Sequence, residues 1–440
     1  MSGKTPNHEL SPMRCPVNLD DVDLFSAGAQ EHWYEAYDIL HQQAPVHRLP
    51  GEGFMPGTDG YILTKHEDIE LVVKNWERFP PITSIGREEL AKRDIAPDEI
   101  DYNNARPTSI ATLRPNPQLW RAHRQELTDP WVGPGAGRHE EMVRKFANEL
   151  IDGWIDKGEV EFISEFARPL PQMVMSTILG FPLEDTKRLE EWGNAQVMPF
   201  VYGKGHRNMM SHEQAKEQAR VLDGFNDYVR TKVQEKRADP QDDMISDLTQ
   251  ITYKALNRKL TDTEIFGVVY GMVIGGLETT QYALEEEAQL LCEREGVFEQ
   301  IKQDRSLVRA FTEESMRLRS PTQGLSTRLT NQDEVFQGVK VPKGSLLHLR
   351  WAAANIDADE WECPMDLKLD RKASTRHLTF SAGPRVCPGA HLSRLEQVTA
   401  WNCLLDRIDS IEYAPGNQFL HQPGIMLGTL ELHLKFAKSG

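Results

Sequence analysis

The 440-residue chain lacks an apolar run long enough to cross a bilayer. Its longest, residues 265–277, falls short of the roughly 20 residues a spanning helix needs. The first twenty residues, MSGKTPNHELSPMRCPVNLD, contain no apolar segment of the kind a secretion signal requires. Basic residues are in deficit: the formal net charge is -17. That excludes a general nucleic-acid binder, because phosphate needs a basic surface, but leaves room for a local basic patch facing an acidic protein. Cysteines are few and form no C-x-x-C pair. The five, Cys15, Cys292, Cys363, Cys387 and Cys403, are scattered and odd in number. This argues against a disulfide framework and a structural zinc site. Repeats, low-complexity blocks and interdomain linkers are also missing. These absences predict a cytoplasmic protein with no membrane anchor. They predict one domain over residues 31–440, preceded by a poorly structured extension at 1–30.

What is present is mostly helical. Apolar residues recur at three- and four-residue spacing over 140–156, 212–235 and 263–292. Thr261 and Glu264 form a capping box at the start of the last of these. Strand-like pieces are short and far apart, at 60–64, 345–349 and 430–436. The expected fold is mostly α with a small β portion. Residues 80–114, rich in Pro, Asn, Asp and Arg, read as a long loop, which in a compact domain is usually functional.

One cysteine stands in unusual company. Residues 377–394 read HLTFSAGPRVCPGAHLSR. Gly383 and Gly389 allow tight turns around the Cys387 sulfur and leave amides to point at it. After Pro388 the pattern turns helical (390–404), so the sulfur precedes a helix N-terminus, whose dipole favours an anion. Phe380 can shield one side. Such surroundings suit a deprotonated sulfur bound to a haem iron, with Arg385 and His377 available to the anionic propionates.

This stretch fills every fixed position of F-x-x-G-x-R-x-C-x-G, at Phe380, Gly383, Arg385, Cys387 and Gly389, and so resembles the signature of the cytochrome P450 family. Further motifs agree. Glu314 and Arg317 lie three apart in the helical stretch 308–319 and can pair. The resemblance implies that they are buried and anchor the loop carrying Cys387, with Asn355 to Arg371 as the meander before it. Gly275-Gly276-Leu277-Glu278-Thr279 interrupts a helix with two glycines, each about 1 kcal/mol worse than Ala there. It is similar to the family's oxygen-activating segment, with Glu278 and Thr279 as acid and alcohol. Trp120 and Arg124, one helical turn apart, and Arg328 resemble the residues that hold the haem propionates. The indole N–H of Trp120 is a donor suited to that.

The resemblance covers residue 30 to the end. It implies the cytochrome P450-like fold, with haem b (iron protoporphyrin IX) between the long central helix and the Cys387 loop. It implies a monooxygenase that inserts one atom of O2 into a small apolar substrate, by hydroxylation or oxidative dealkylation. The chain shows no flavin or nicotinamide domain, so electrons are expected from a separate ferredoxin or flavodoxin with its reductase. Arg121, Arg124, Arg371, Lys372, Arg376 and Arg394 would form a basic docking face for an acidic donor. By the same analogy the pocket draws on residues 80–114 and 197–202, and on Met272, Val273, Gly276, Leu325 and Met426. Two rival readings remain at this point. A peroxide-driven hydroxylase is disfavoured by the Glu278–Thr279 pair, and a haem sensor by the lack of an output domain.

Overall fold

The computed structural model describes residues 14–82, 105–201, 203–204, 207–324 and 326–440. Helices dominate, as the periodicity predicts. The long central element is two consecutive helices, Asp262–Gly276 and Glu278–Glu293, separated by Leu277 (φ −93°, ψ −62°). Its start is fixed by the capping box: the Thr261 hydroxyl accepts the Glu264 N–H, and the Glu264 carboxylate accepts the Thr261 N–H. The same device, Ser211 with Gln214, opens the helix His212–Ala238. Around the central element pack Ala105–Leu113, Pro169–Leu179, Thr186–Val201 and His212–Ala238. Their apolar faces join it in the main core, with Phe166, Phe225, Phe266 and Trp401 fully buried. Among the described residues, no helix is long and apolar enough to cross a membrane.

Two sheets are assembled from distant pieces. In one, Val46–Leu49 runs antiparallel to Gly60–Leu63, which runs parallel to Leu346–Leu349, which pairs antiparallel with Thr327–Leu329. In the other, His433–Lys438 lies between Ile408–Tyr413 and Glu159–Glu161, all antiparallel. The last strand therefore begins three residues later than its alternating pattern suggests. The reason is that side chains take nearby amides: Thr429 N–H goes to the buried Glu285 and Leu432 N–H to the half-buried Glu161.

The N-terminal segment differs from the expected poorly structured extension. From residue 14 onward it is described and packed: Leu24, Ala29 and Gln30 are buried, and the Leu24 carbonyl accepts the Trp33 indole and the Arg350 guanidinium. Residues 1–13 lie outside the described residues, as does 83–104 of the expected long loop. The end of that loop, Ala105–Leu113, is a helix.

Candidate functional site

Cys387 sits just ahead of the helix Ala390–Arg407. Its Sγ receives the backbone N–H groups of Gly389 and Ala390, and its own N–H donates to the Phe380 carbonyl at 2.8 Å. Burial pushes the thiol up; the two amides and the guanidinium groups of Arg124 and Arg394 pull against it. Every group opposing burial favours the sulfur anion. Gly383 has φ +70°, and a Cβ there would lie 3.1 Å from the Val73 carbonyl and from Lys74 Cα. Both conformation and proximity demand glycine, and the contact braces the loop on the helix His66–Lys74. Gly389 does not share this constraint. Its φ is −84°, which any residue adopts, so the expected role of glycine in the turn holds at Gly383 alone.

Cations gather beside the loop. The Arg385 guanidinium lies 4.8 Å from the centre of the Trp120 ring. Arg328, on the strand Thr327–Leu329, is buried and donates to the Thr327 carbonyl. Burial, with Arg385 adding repulsion, pushes it down to about 9. No carboxylate pairs with Arg328 among the described residues, and a buried guanidinium in that position calls for an anion. Arg124 opens a π-helical turn, Arg124–Thr128, and donates to the Val386 carbonyl at 2.8 Å.

Two expected ligands of that anion are otherwise engaged. The Trp120 indole N–H donates to the Arg114 carbonyl, so the residue offers Arg385 its ring face rather than offering an anion a donor. His377 has a fully buried side chain with both ring nitrogens occupied. Nε2 is 3.0 Å from Glu313 Oε2, and Nδ1 accepts the Thr379 N–H. It belongs to an internal network with Glu313 and Arg394, and the reading of His377 as a propionate ligand is corrected. Sequence carried one cue to this: Glu313 is an acid in the same helix turn as Glu314.

Glu314 and Arg317 are both 0% exposed, so the pair is no ordinary surface one. Arg317 makes two bonds to Glu314, at 2.9 and 3.0 Å, and donates to the carbonyls of Asn355, Pro364 and Asp366. Glu314 also accepts the Lys368 N–H and the Arg371 guanidinium. The pair thus pins residues 355–371, the segment leading to the cysteine loop.

On the central helix, Gly271 and Gly275 face space left open by the described residues, none of which lies within 4 Å of a Cβ at either. Thr279, four residues on, donates from Oγ1 to the Gly275 carbonyl at 2.9 Å. These residues, at i, i+4 and i+8, make one face. A Cβ on Gly276 would instead collide with Met175, and Val273 is wholly buried in the core. Both are corrected as pocket-lining residues: helical rotation turns them away from the open face, and Gly275 takes the place given to Gly276. Met272 and Met426 are buried, Met426 bridging to Thr322. Leu325 lies outside the described residues. Glu278 is buried, accepts the Tyr282 hydroxyl at 2.7 Å, and is pushed up to about 7, chiefly by burial. The next residue but one, Thr280, donates to Ser393 at 3.1 Å, tying this helix to the one that starts behind Cys387.

The expected basic face is smaller than the sequence suggests. Arg371 is drawn onto Glu314 and Arg394 onto Glu313, both internal. Arg121, Lys372 and Arg376 remain exposed, Arg376 paired with Glu360.

Comparison with known proteins adds an independent line. The cytochrome P450 family profile matches residues 86–436. The polyketide biosynthesis cytochrome P450 PksS of Bacillus subtilis is 25% identical over 394 residues, 89% of this chain and 93% of that protein. Cytochrome P450(MEG) of Priestia megaterium is 28% identical over 365 residues, 82% of this chain and 85% of its own length. The solved structure of PksS superposes with a TM-score of 0.78 at 23% identity, covering 93% of this chain and 98% of that one.

Proposed function

The chain belongs to the cytochrome P450 family, and on that premise we propose that it oxygenates a small apolar molecule at a site between Cys387 and the Gly271–Gly275–Thr279 face. It is a monooxygenase, and its cofactor is haem b. The reading proposes hydroxylation or oxidative dealkylation, with electrons delivered by a ferredoxin or flavodoxin. One observation carries it. The Thr280–Ser393 hydrogen bond ties the helix that carries the acid–alcohol pair to the helix that follows Cys387, which supports a site shared by the two.

The side chains suit the cofactor. Cys387 would hold the iron, and Gly389 and Ala390 N–H groups would stabilise the thiolate. Arg328 and Arg385 would take the propionates, which would give the buried Arg328 guanidinium the anion it lacks among the described residues. Arg124, ion-paired with Asp129 at 3.4 Å and bonded to the Val386 carbonyl, would brace that side of the loop. When bound, haem supplies the binding and activation of dioxygen and the transfer of one oxygen atom. The protein's own part is to place the substrate, exclude water and hold protons. Thr279 Oγ1, anchored on the Gly275 carbonyl, offers a hydroxyl at the open face; Glu278 holds a proton within the wall behind it. Met272 and Met426, both buried, would give the site apolar surface. Their flexible, polarisable side chains suit an apolar guest.

Replacing Cys387 by Ser tests the ligand assignment. The expected result is loss of the ferrous–carbon monoxide band that marks a thiolate ligand; an unchanged spectrum would refute it. Turnover tests the reaction class. Product should require reductant, O2 and a ferredoxin or flavodoxin, and efficient product formation from peroxide alone would favour the peroxide-driven alternative.

A further inference from the structure

We propose that Tyr282, held by Gln422, is a positioning residue that fixes the side chain of Glu278 and ties it to the C-terminal turn 422–428. The inference rests on the reading above that Glu278 holds a proton for the reaction.

Four observations converge on it. The Tyr282 hydroxyl donates to Glu278 Oε2 at 2.7 Å and accepts from Gln422 Nε2, also at 2.7 Å. The three side chains therefore form a directed chain from the turn to the acid. Glu278 Oε1 is buried with no hydrogen-bond partner among the described residues. A position for a Cβ on Gly193, in the neighbouring helix Thr186–Val201, would lie 4.0 Å from it. Glu278 thus points into the seam between two helices, one oxygen clamped and the other unsatisfied. Such a carboxyl needs a defined hydrogen-bond donor to fix its rotamer. Tyr282 is itself immobilised. It is 4% exposed, and a Cβ on Gly428 would strike its ring, so the glycine keeps the slot that the ring fills.

The turn that supplies Gln422 and Gly428 also supplies Ile425 and Met426, which pack with Tyr282 in one small apolar cluster. A guest that displaces Met426 acts on the same cluster that seats Tyr282. The occupancy of the pocket and the setting of the acid are then mechanically linked. Charges around Glu278 come from each neighbouring element. Arg168 pulls it down and Glu190 pushes it up, the two forming an ion pair at 3.1 Å with about a third of each side chain exposed. That pair gives solvent an edge close to the acid. The tyrosine hydroxyl favours the carboxylate, so it opposes burial.

Infrared difference spectroscopy of the haem-loaded protein across pH reads the acid directly, without turnover. Wild type should show a protonated-carboxyl C=O band that Glu278→Gln abolishes. In Tyr282→Phe, which still fills the slot over Gly428, the band should shift in frequency and persist to higher pH, because the donor favouring the carboxylate has gone. Gln422→Leu should move it in the same direction by less. A Tyr282→Phe band unchanged in both frequency and midpoint would overturn the proposal. The proton-holding reading fails separately: if Glu278→Gln forms as much product per reductant as wild type, the relay role falls, while the band shift would still establish the clamp.

Discussion

Two buried glutamates, thirty-six residues apart in sequence, are treated in opposite ways. Glu314 is closed: both oxygens are engaged, with Arg317, Arg371 and a backbone amide all donating to it, and neither it nor Arg317 is exposed. Glu278 is left half open, with one oxygen on Tyr282 and the other without a partner among the described residues. Burial costs both alike, but only Glu314 is repaid in bonds. The difference separates holding from working. A carboxylate with both oxygens bound to cations and an amide is pinned in one charge state and geometry. One with an orphan oxygen, pushed up to about 7, changes protonation near neutrality.

The contrast can be broken experimentally, starting where the effect is largest. Glu314→Ala leaves the Arg317 guanidinium buried without its partner. It should cost on the order of 3–5 kcal/mol in urea unfolding of the haem-loaded protein, with loss of retained haem; a cost below about 1 kcal/mol would mean the pair is not the anchor its bonds suggest. Next comes Thr279→Ala. Reductant consumption should continue while product per reductant drops and peroxide accumulates; unchanged yield would remove Thr279 from the proton path. Glu313→Gln should have an intermediate effect on stability, about 1–3 kcal/mol. Burial pushes Glu313 up, but bonds from His377 and Arg394 override this and hold it at about 2. Its contribution is therefore present above its ordinary 4.5 and lost as pH falls toward 2, so the variant's acid unfolding limb should be shallower. Smallest in stability is Glu278→Gln, which removes an imperfectly satisfied acid and should leave unfolding nearly unchanged. It should instead abolish the alkaline fall in product yield expected as Glu278 loses its proton above about 7. A large loss of stability would place Glu278 with Glu314 after all.

What could be read in the sequence was whatever is local. The cysteine loop, its following helix, the Thr261–Glu264 capping box and the Glu314–Arg317 pair are set by residues a few positions apart, and each appears where its spacing put it. What could not be read was rotation and distant partnership. Gly275 and Gly276 are neighbours in sequence, yet one faces open space and the other Met175. His377, Arg371 and Arg394 read as available charges because Glu313 and Glu314, which bind them, come from a helix more than fifty residues earlier. The Trp120 N–H was spent on a carbonyl no pattern marks. Tyr282 gave no signal beyond its i+4 spacing from Glu278.

The contact of Gly383 with Val73 and Lys74 has a consequence in time. The loop that carries Cys387 rests on a helix made more than three hundred residues earlier. Other seams close over similar lengths: Lys65 on Asp357 spans 292 residues, Tyr37 on Gln323 spans 286, and Gln30 on the His421 carbonyl spans 391. Contacts of such separation form late and slowly. On the ribosome, Gln30, Tyr37, Lys65 and Lys74 must wait for residues 323–421 before these contacts can form. The loop that carries Cys387 is therefore among the last parts of this chain to gain its support.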